Sequence, residues 1–179
     1  HLATELKELC SFAGVIFLIN DHIDVALAID ADGVHLGQND LPVSMARDIM
    51  PEDKLIGCTA RTVAKAFEAQ KAGADYVAVG SIYASTTKPD VPVVGLERIG
   101  QVKHEVTVPV VAIGGINDAN IAGVYEAGAS SVAVISAALS SADIKLAVNR
   151  LTSNLTEGVT IGRFEFQPGT NRRTDPSSL

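Results

Sequence analysis

The chain has 179 residues, 47% of them hydrophobic and 20% charged, with a net charge of -7 from 14 basic and 21 acidic side chains. That is one domain's worth of globular chain, and its acidic balance argues against nucleic acid or an anionic membrane as partner, because phosphate backbones reward clustered lysine and arginine. Two cysteines, Cys10 and Cys58, are too few for a disulfide framework or a zinc site and point to a reducing, cytoplasmic setting.

Short apolar runs alternate with helical patterns along most of the chain. His1 to Ala13 is a charged amphipathic stretch that reads as a helix rather than a signal peptide, and no run approaches the roughly 18–20 apolar residues of a membrane span. The expected strands are Val15–Ile19, Gly33–Leu36, Leu55–Gly57, Tyr76–Val79, Val108–Ile113 and Ser131–Ile135. Nearly continuous apolar runs of this kind suit parallel strands covered on both faces. Thr62 to Ala72 is an expected helix with Val63, Ala66, Phe67 and Ala69-Gln70 on its apolar face. Asn117 to Ala127 is another, with Asn117 as N-cap and Gly128 just past its end. A last helix carries Ile144, Ala147, Val148 and Leu151. The spacing divides the chain into residues 1–152, an α/β domain, and 153–179, a polar, loosely ordered tail with one alternating stretch from Val159 to Phe166.

An internal repeat supports this division. Ala72-Gly73-Ala74-Asp75-Tyr76-Val77-Ala78-Val79 and Ala127-Gly128-Ala129-Ser130-Ser131-Val132-Ala133-Val134 nearly superpose, and Ile29 to Gly37 is a looser third copy. Each is the αβ junction of a repeating unit. A TIM-type (β/α) barrel with about six of its eight strands fits better than a doubly wound open sheet, because no dinucleotide fingerprint is present.

In such folds the ligand meets polar residues just beyond the C-terminal ends of strands. Asn20 and Asp21 follow the first strand, and Gln38-Asn39-Asp40 the second. Two carboxylates meeting there would suit a hard divalent cation, although either could instead cap the helix that follows. The stretch Ser85-Thr86-Thr87-Lys88 follows the fourth strand. It offers hydroxyls and a positive charge to phosphate oxygens, or is simply a solvated loop. Gly114-Gly115 and Ile135-Ser136 follow the last two strands, where close backbone approach and helix starts favour an anion. Cys58 sits at a strand end, where it lines a pocket or packs as a buried thiol. His35 is expected inside its strand, and no histidine stands out as a catalyst.

Together these residues resemble the thiamine phosphate synthase family. The matching segments are Ile19-Asn20-Asp21-His22-Ile23-Asp24, Ala31-Asp32-Gly33-Val34-His35-Leu36-Gly37-Gln38-Asn39-Asp40, Gly80-Ser81-Ile82-Tyr83, Thr87-Lys88-Pro89 and Ala112-Ile113-Gly114-Gly115-Ile116, within a likeness running from His1 to about Leu139. The resemblance implies a TIM barrel that joins hydroxymethylpyrimidine diphosphate to thiazole phosphate with Mg2+ and releases pyrophosphate. It implies that Asp21 and Asp40 hold the metal and that Asn20 and Lys88 hold the diphosphate, as the residues nearest the chemistry. Ser85, Thr86 and Thr87 would then contact the thiazole, and Gly115, Ile135 and Ser136 its phosphate. Cys58 stands where the family usually sets a serine facing the pyrimidine.

The family's first two strands, with a Gln-x-Arg-x-x-Lys-like element, have no counterpart before His1, so the expectation is an incomplete chain, poorly active alone. A thiazole tautomerase and a phosphate-binding remnant are the competing readings; Asp21, Asp40 and Lys88 speak against the tautomerase. The partners implied are small molecules, and association into a homo-oligomer stays open.

Overall fold

The computed structural model describes residues 1–156. Helix α1 (Leu2–Phe12) leads to β1 (Leu18–Asn20), then α2 (Ile23–Ala28), β2 (Gly33–Leu36), α3 (Val43–Ile49), β3 (Leu55–Thr59) and α4 (Val63–Lys71). The chain continues through β4 (Tyr76–Val79), α5 (Glu97–Glu105), β5 (Val110–Ile113), α6 (Ile121–Glu126), β6 (Ser131–Ala133), the short α7 (Ser136–Leu139) and α8 (Ile144–Thr156). The six strands form one parallel sheet in the order β1-β2-β3-β4-β5-β6. A doubly wound sheet reverses its strand order at a switch point, and this one never does. Residues from the ends of β1 and β6 line the same cavity, so the sheet curls as a barrel does. The expected α/β barrel architecture with six strands is the one found. Among the described residues, β1 and β6 pair only on their inner edges.

The core lies between the sheet and its helices. Val34, Leu36, Ile56, Val77, Val79 and Val110 from the strands meet Ala26, Ala46, Ala66, Ile99, Val102, Ile121 and Val124 from the helices, all essentially inaccessible. Helix α1 is different: it buries none of its residues, and Leu2, Leu9 and Phe12 face outward.

The repeated junction has a mechanical meaning. Asp32, Asp75 and Ser130 occupy the same place in the three copies, each just before a strand. The Asp32 carboxylate accepts from Phe17 N at 2.7 Å, Asp75 from Ile56 N at 2.7 Å, and the Ser130 hydroxyl from Val110 N at 3.2 Å. In each case the backbone N–H of the junction residue returns a bond to the same partner's carbonyl. One short polar side chain per unit thus clamps a strand to its predecessor and fixes the register.

Arg47 on α3 ties a further joint. Its guanidinium donates to the carbonyls of Lys54 and Gly73 and to Asp75 Oδ2 at 2.6 Å, with both charged side chains about one-fifth exposed. Arg47→Ala would leave Asp75 half-buried without its partner. It should cost about 2–3 kcal/mol in a urea unfolding curve, whereas a loss below 1 kcal/mol would contradict this role.

Several boundaries differ from the sequence reading. Strand β1 starts at Leu18: Val15 and Ile16 are exposed in the lead-in from the Gly14 turn (φ 65°), and Phe17 follows them half-buried against the core. Strand β3 runs on through Thr59. Helix α6 begins at Ile121 rather than near Asn117. Asn117 accepts from Ala119 N in a preceding turn, and Asn120 occupies the N-cap position. Phe67 is not part of α4's buried face; it lies outward under Lys71, whose Nζ is 5.6 Å from the ring centroid. Helix α8 extends through Thr156, so the boundary expected after Thr152 falls inside it. The rest of the expected tail, with its alternating stretch from Val159, lies outside the described residues.

Candidate active site

One cavity of about 440 Å³ opens at the C-terminal ends of the strands. Its wall is built in strand order. Asn20 and Asp21 come from β1, His35 and Gly37 from β2, Thr59 and Arg61 from β3, and Gly80 and Ser81 from β4. Ser85, Thr87 and Lys88 enter from the loop after β4, Gly114 and Gly115 from β5, and Ile135 and Ser136 from β6.

Asp21 is held in the left-handed region (φ 67°), a conformation costly for a side chain with a Cβ and more common at functional positions. Its backbone N–H donates to the carbonyl of His35 at 2.8 Å, which fixes the turn against β2. Asp40 is fixed from the other side, its Oδ2 accepting from Gly37 N at 2.6 Å. Neither caps a helix: the N-cap positions of α2 and α3 are His22 and Pro42, and no side chain caps either. The capping alternative therefore fails for both.

The two carboxyls stand beside one another. Partial desolvation, and then the Asp40 carboxyl, hold Asp21 above its ordinary value of 3.8, with Lys88 pulling the other way. A divalent cation would relieve that repulsion. Among the described residues no third Asp, Glu, His or Cys completes a metal cluster with them. Two carboxylates with the remaining positions left to water and phosphate oxygens suit magnesium rather than zinc.

The other end of the cavity is made of backbone. The loop after β4 is pinned to β5: Ile82 N donates to Ile113 O and Tyr83 N to Gly114 O, both at 3.0 Å. Gly114 (φ 102°) and Gly115 (φ 65°) make the turn. A Cβ on Gly114 would overlap the Ser81 hydroxyl, and one on Gly115 would come within 2.8 Å of Tyr83 Cβ. Asn120 Nδ2 donates to Gly115 O at 3.0 Å and holds the turn from behind. Ile135 and Ser136, at the start of α7, line the cavity from the neighbouring strand β6.

Of the residues expected at the site, Asn20, Asp21, Ser85, Thr87, Lys88, Gly115, Ile135 and Ser136 line the cavity, and Asp40 stands against Asp21. Thr86 is exposed and absent from the wall. Cys58 needs correction: it packs half-buried against the core, and burial raises its thiol pKa. Side chains alternate along a strand, so the inward position falls to its neighbour Thr59, which supplies a hydroxyl there.

His35, Thr59 and Arg61 were missed as cavity residues. His35 is wedged between two hydroxyls, Nδ1 at 2.8 Å from Tyr76 Oη and Nε2 at 2.9 Å from Thr59 Oγ1, with its ring stacked on Tyr76. Burial, then Lys88, lower its pKa from 6.5, so it is neutral at pH 7. Folded-state stability from this group is fully present above pH 6.5 and is lost as pH falls through the depressed value. An NMR titration of His35 should give a midpoint below 6.5; one at or above 6.5 would show that the ring is not desolvated as described. The signal for His35 was its place between Val34 and Leu36: those two pack outward into the core, which turns the residue between them inward.

The fold and cavity define a (β/α)-barrel enzyme with its polar groups gathered at the strand ends. Residues 1–138 match the family model described as thiamine monophosphate synthase. A thiamine-phosphate synthase of Chloroflexus aurantiacus is 47% identical over 150 residues, covering 83% of this chain and 69% of that protein. One from Clostridium botulinum is 44% identical over 155 residues, covering 86% and 76%. The solved thiamine phosphate pyrophosphorylase of Pyrococcus furiosus superposes with a TM-score of 0.81 at 38% identity, covering 86% of this chain and 74% of that one. The chain belongs to the thiamine monophosphate synthase family, and so to the enzymes of thiamine biosynthesis.

Proposed function

We propose that the cavity joins hydroxymethylpyrimidine diphosphate to thiazole phosphate, giving thiamine phosphate and pyrophosphate, with a magnesium ion on Asp21 and Asp40. The observation that carries this reading is the convergence of those two carboxylates beside Lys88 at one end of a cavity whose other end is a glycine turn.

The bond between the pyrimidine methylene and the diphosphate oxygen breaks, and the electron pair leaves with pyrophosphate. The thiazole nitrogen supplies the pair for the new C–N bond, so the carbon skeleton needs no proton transfer. Bound magnesium would supply charge to the leaving group. Asn20 and Lys88 hold the diphosphate, and Lys88 adds its own charge as negative charge builds on the leaving oxygen. Ser85 and Thr87 orient the thiazole. Gly115, Ile135 and Ser136 hold its phosphate through backbone and hydroxyl donors. His35, neutral and anchored on both nitrogens, is a fixed polar wall rather than a base. Catalysis of this kind rests on positioning and leaving-group electrostatics.

The test is formation of thiamine phosphate from the two substrates, with and without magnesium, alongside calorimetric binding of each ligand. Magnesium-dependent product supports the reading. Thiazole phosphate binding without any affinity for magnesium pyrophosphate would instead favour a phosphate-binding remnant.

A further inference from the structure

Arg61 lies just beyond β3, ahead of Thr62, whose side chain caps α4. It lines the cavity, yet its Nε is buried and makes no hydrogen bond. No carboxylate pairs with it among the described residues. The contrast with Arg47 is instructive, since that guanidinium is engaged by Asp75 and two carbonyls. Arg98 also has an unpartnered Nε, but it does not reach the cavity. A half-buried guanidinium without a counter-charge is costly unless an anion completes it.

Its position selects which anion. The wall follows strand order, so Arg61, beyond the end of β3, lies between the carboxylate pair that follows β1 and β2 and the loop after β4 that carries Lys88. The glycine turn of β5 and Ser136 after β6 lie further round the wall. We infer that Arg61 is a further ligand of the diphosphate group, donating to its oxygens opposite the metal carboxylates and sharing with Lys88 the charge of the departing pyrophosphate. The inference rests on the proposed function. A planar guanidinium offers two phosphate oxygens a pair of parallel N–H bonds in a fixed fork, which the rotating ammonium of a lysine lacks, so the position favours arginine.

The experiment is isothermal titration of the full chain and its Arg61→Gln and Arg61→Lys variants with magnesium pyrophosphate and, separately, with thiazole phosphate. Arg61→Gln should weaken magnesium pyrophosphate at least about 10-fold, with Arg61→Lys intermediate and thiazole phosphate affinity unchanged. The melting temperature without ligand should not fall, because no hydrogen bond of Arg61 Nε is lost. Equal pyrophosphate affinity in Arg61→Gln and the unaltered chain overturns the inference while leaving the proposed function intact. So does a loss confined to thiazole phosphate. If the unaltered chain itself fails to bind magnesium pyrophosphate, the reading of the site fails first and the inference with it. Should Arg61→Gln not fold, Arg61→Lys keeps the charge and tests the forked geometry alone; affinity equal to the unaltered chain would then count against it.

Discussion

Asp21→Asn should reduce magnesium-dependent turnover by at least about 100-fold and remove most of the gain in pyrophosphate affinity that magnesium gives, while thiazole phosphate binds as before. The substitution keeps the size of the side chain and removes one of the two charges that hold the cation. It also removes the carboxyl whose pKa desolvation, and then the neighbouring Asp40, hold above its ordinary value. Without metal, the ionised Asp21 costs the folded state stability. That cost is fully present above the raised pKa and gone below 3.8, so Asp21→Asn should melt higher than the unaltered chain at pH 7 and no higher at pH 3. Protons compete with metal for the same carboxyl, so magnesium affinity should weaken as pH falls toward the raised value. Unchanged turnover in Asp21→Asn would refute the metal role outright.

Gly115→Ala is expected to strike the opposite end. Its φ of 65° disfavours any side chain, and the new methyl would press on Tyr83 Cβ and the Ala84 carbonyl. The turn must shift, which carries the loop after β4 with it. A stability loss of about 1–3 kcal/mol and at least a 10-fold weaker affinity for thiazole phosphate should follow, with magnesium pyrophosphate largely retained. Urea unfolding and calorimetry separate the two effects. Equal loss of both ligands would mean that the cavity is not divided into two ends.

The architecture was legible because the apolar runs were long enough to mark buried parallel strands, and because Asp32, Asp75 and Ser130 recur at one structural place. The carboxylate pair was legible as residues following strands. Its freedom from capping was not, since a sequence does not say whether an aspartate ahead of a helix turns back onto that helix or inward. The β3 wall was lost for a related reason. Gly57 carries no side chain and Cys58-Thr59 breaks the apolar run, so neither the end of the strand nor its inward phase was marked. An early end to β3 set Cys58 at the pocket in place of Thr59 and hid Arg61 in the approach to a helix. His35 was placed in its strand correctly, and its inward face could be read from Val34 and Leu36, but its anchoring on Tyr76, a partner 41 positions away, could not.

Among the described residues, every strand pairs only with its neighbours in the chain. The pairing of β1 with β2 needs only residues up to Leu36, and Asp21 N bonds the His35 carbonyl within it. The aspartate pair is therefore built within 20 residues of chain, whereas the glycine turn of β5 lies some 75 residues further on. The acidic end of the pocket thus rests on contacts closer together in the sequence than those that join it to the glycine end, and short-range contacts of that kind are the quicker to form.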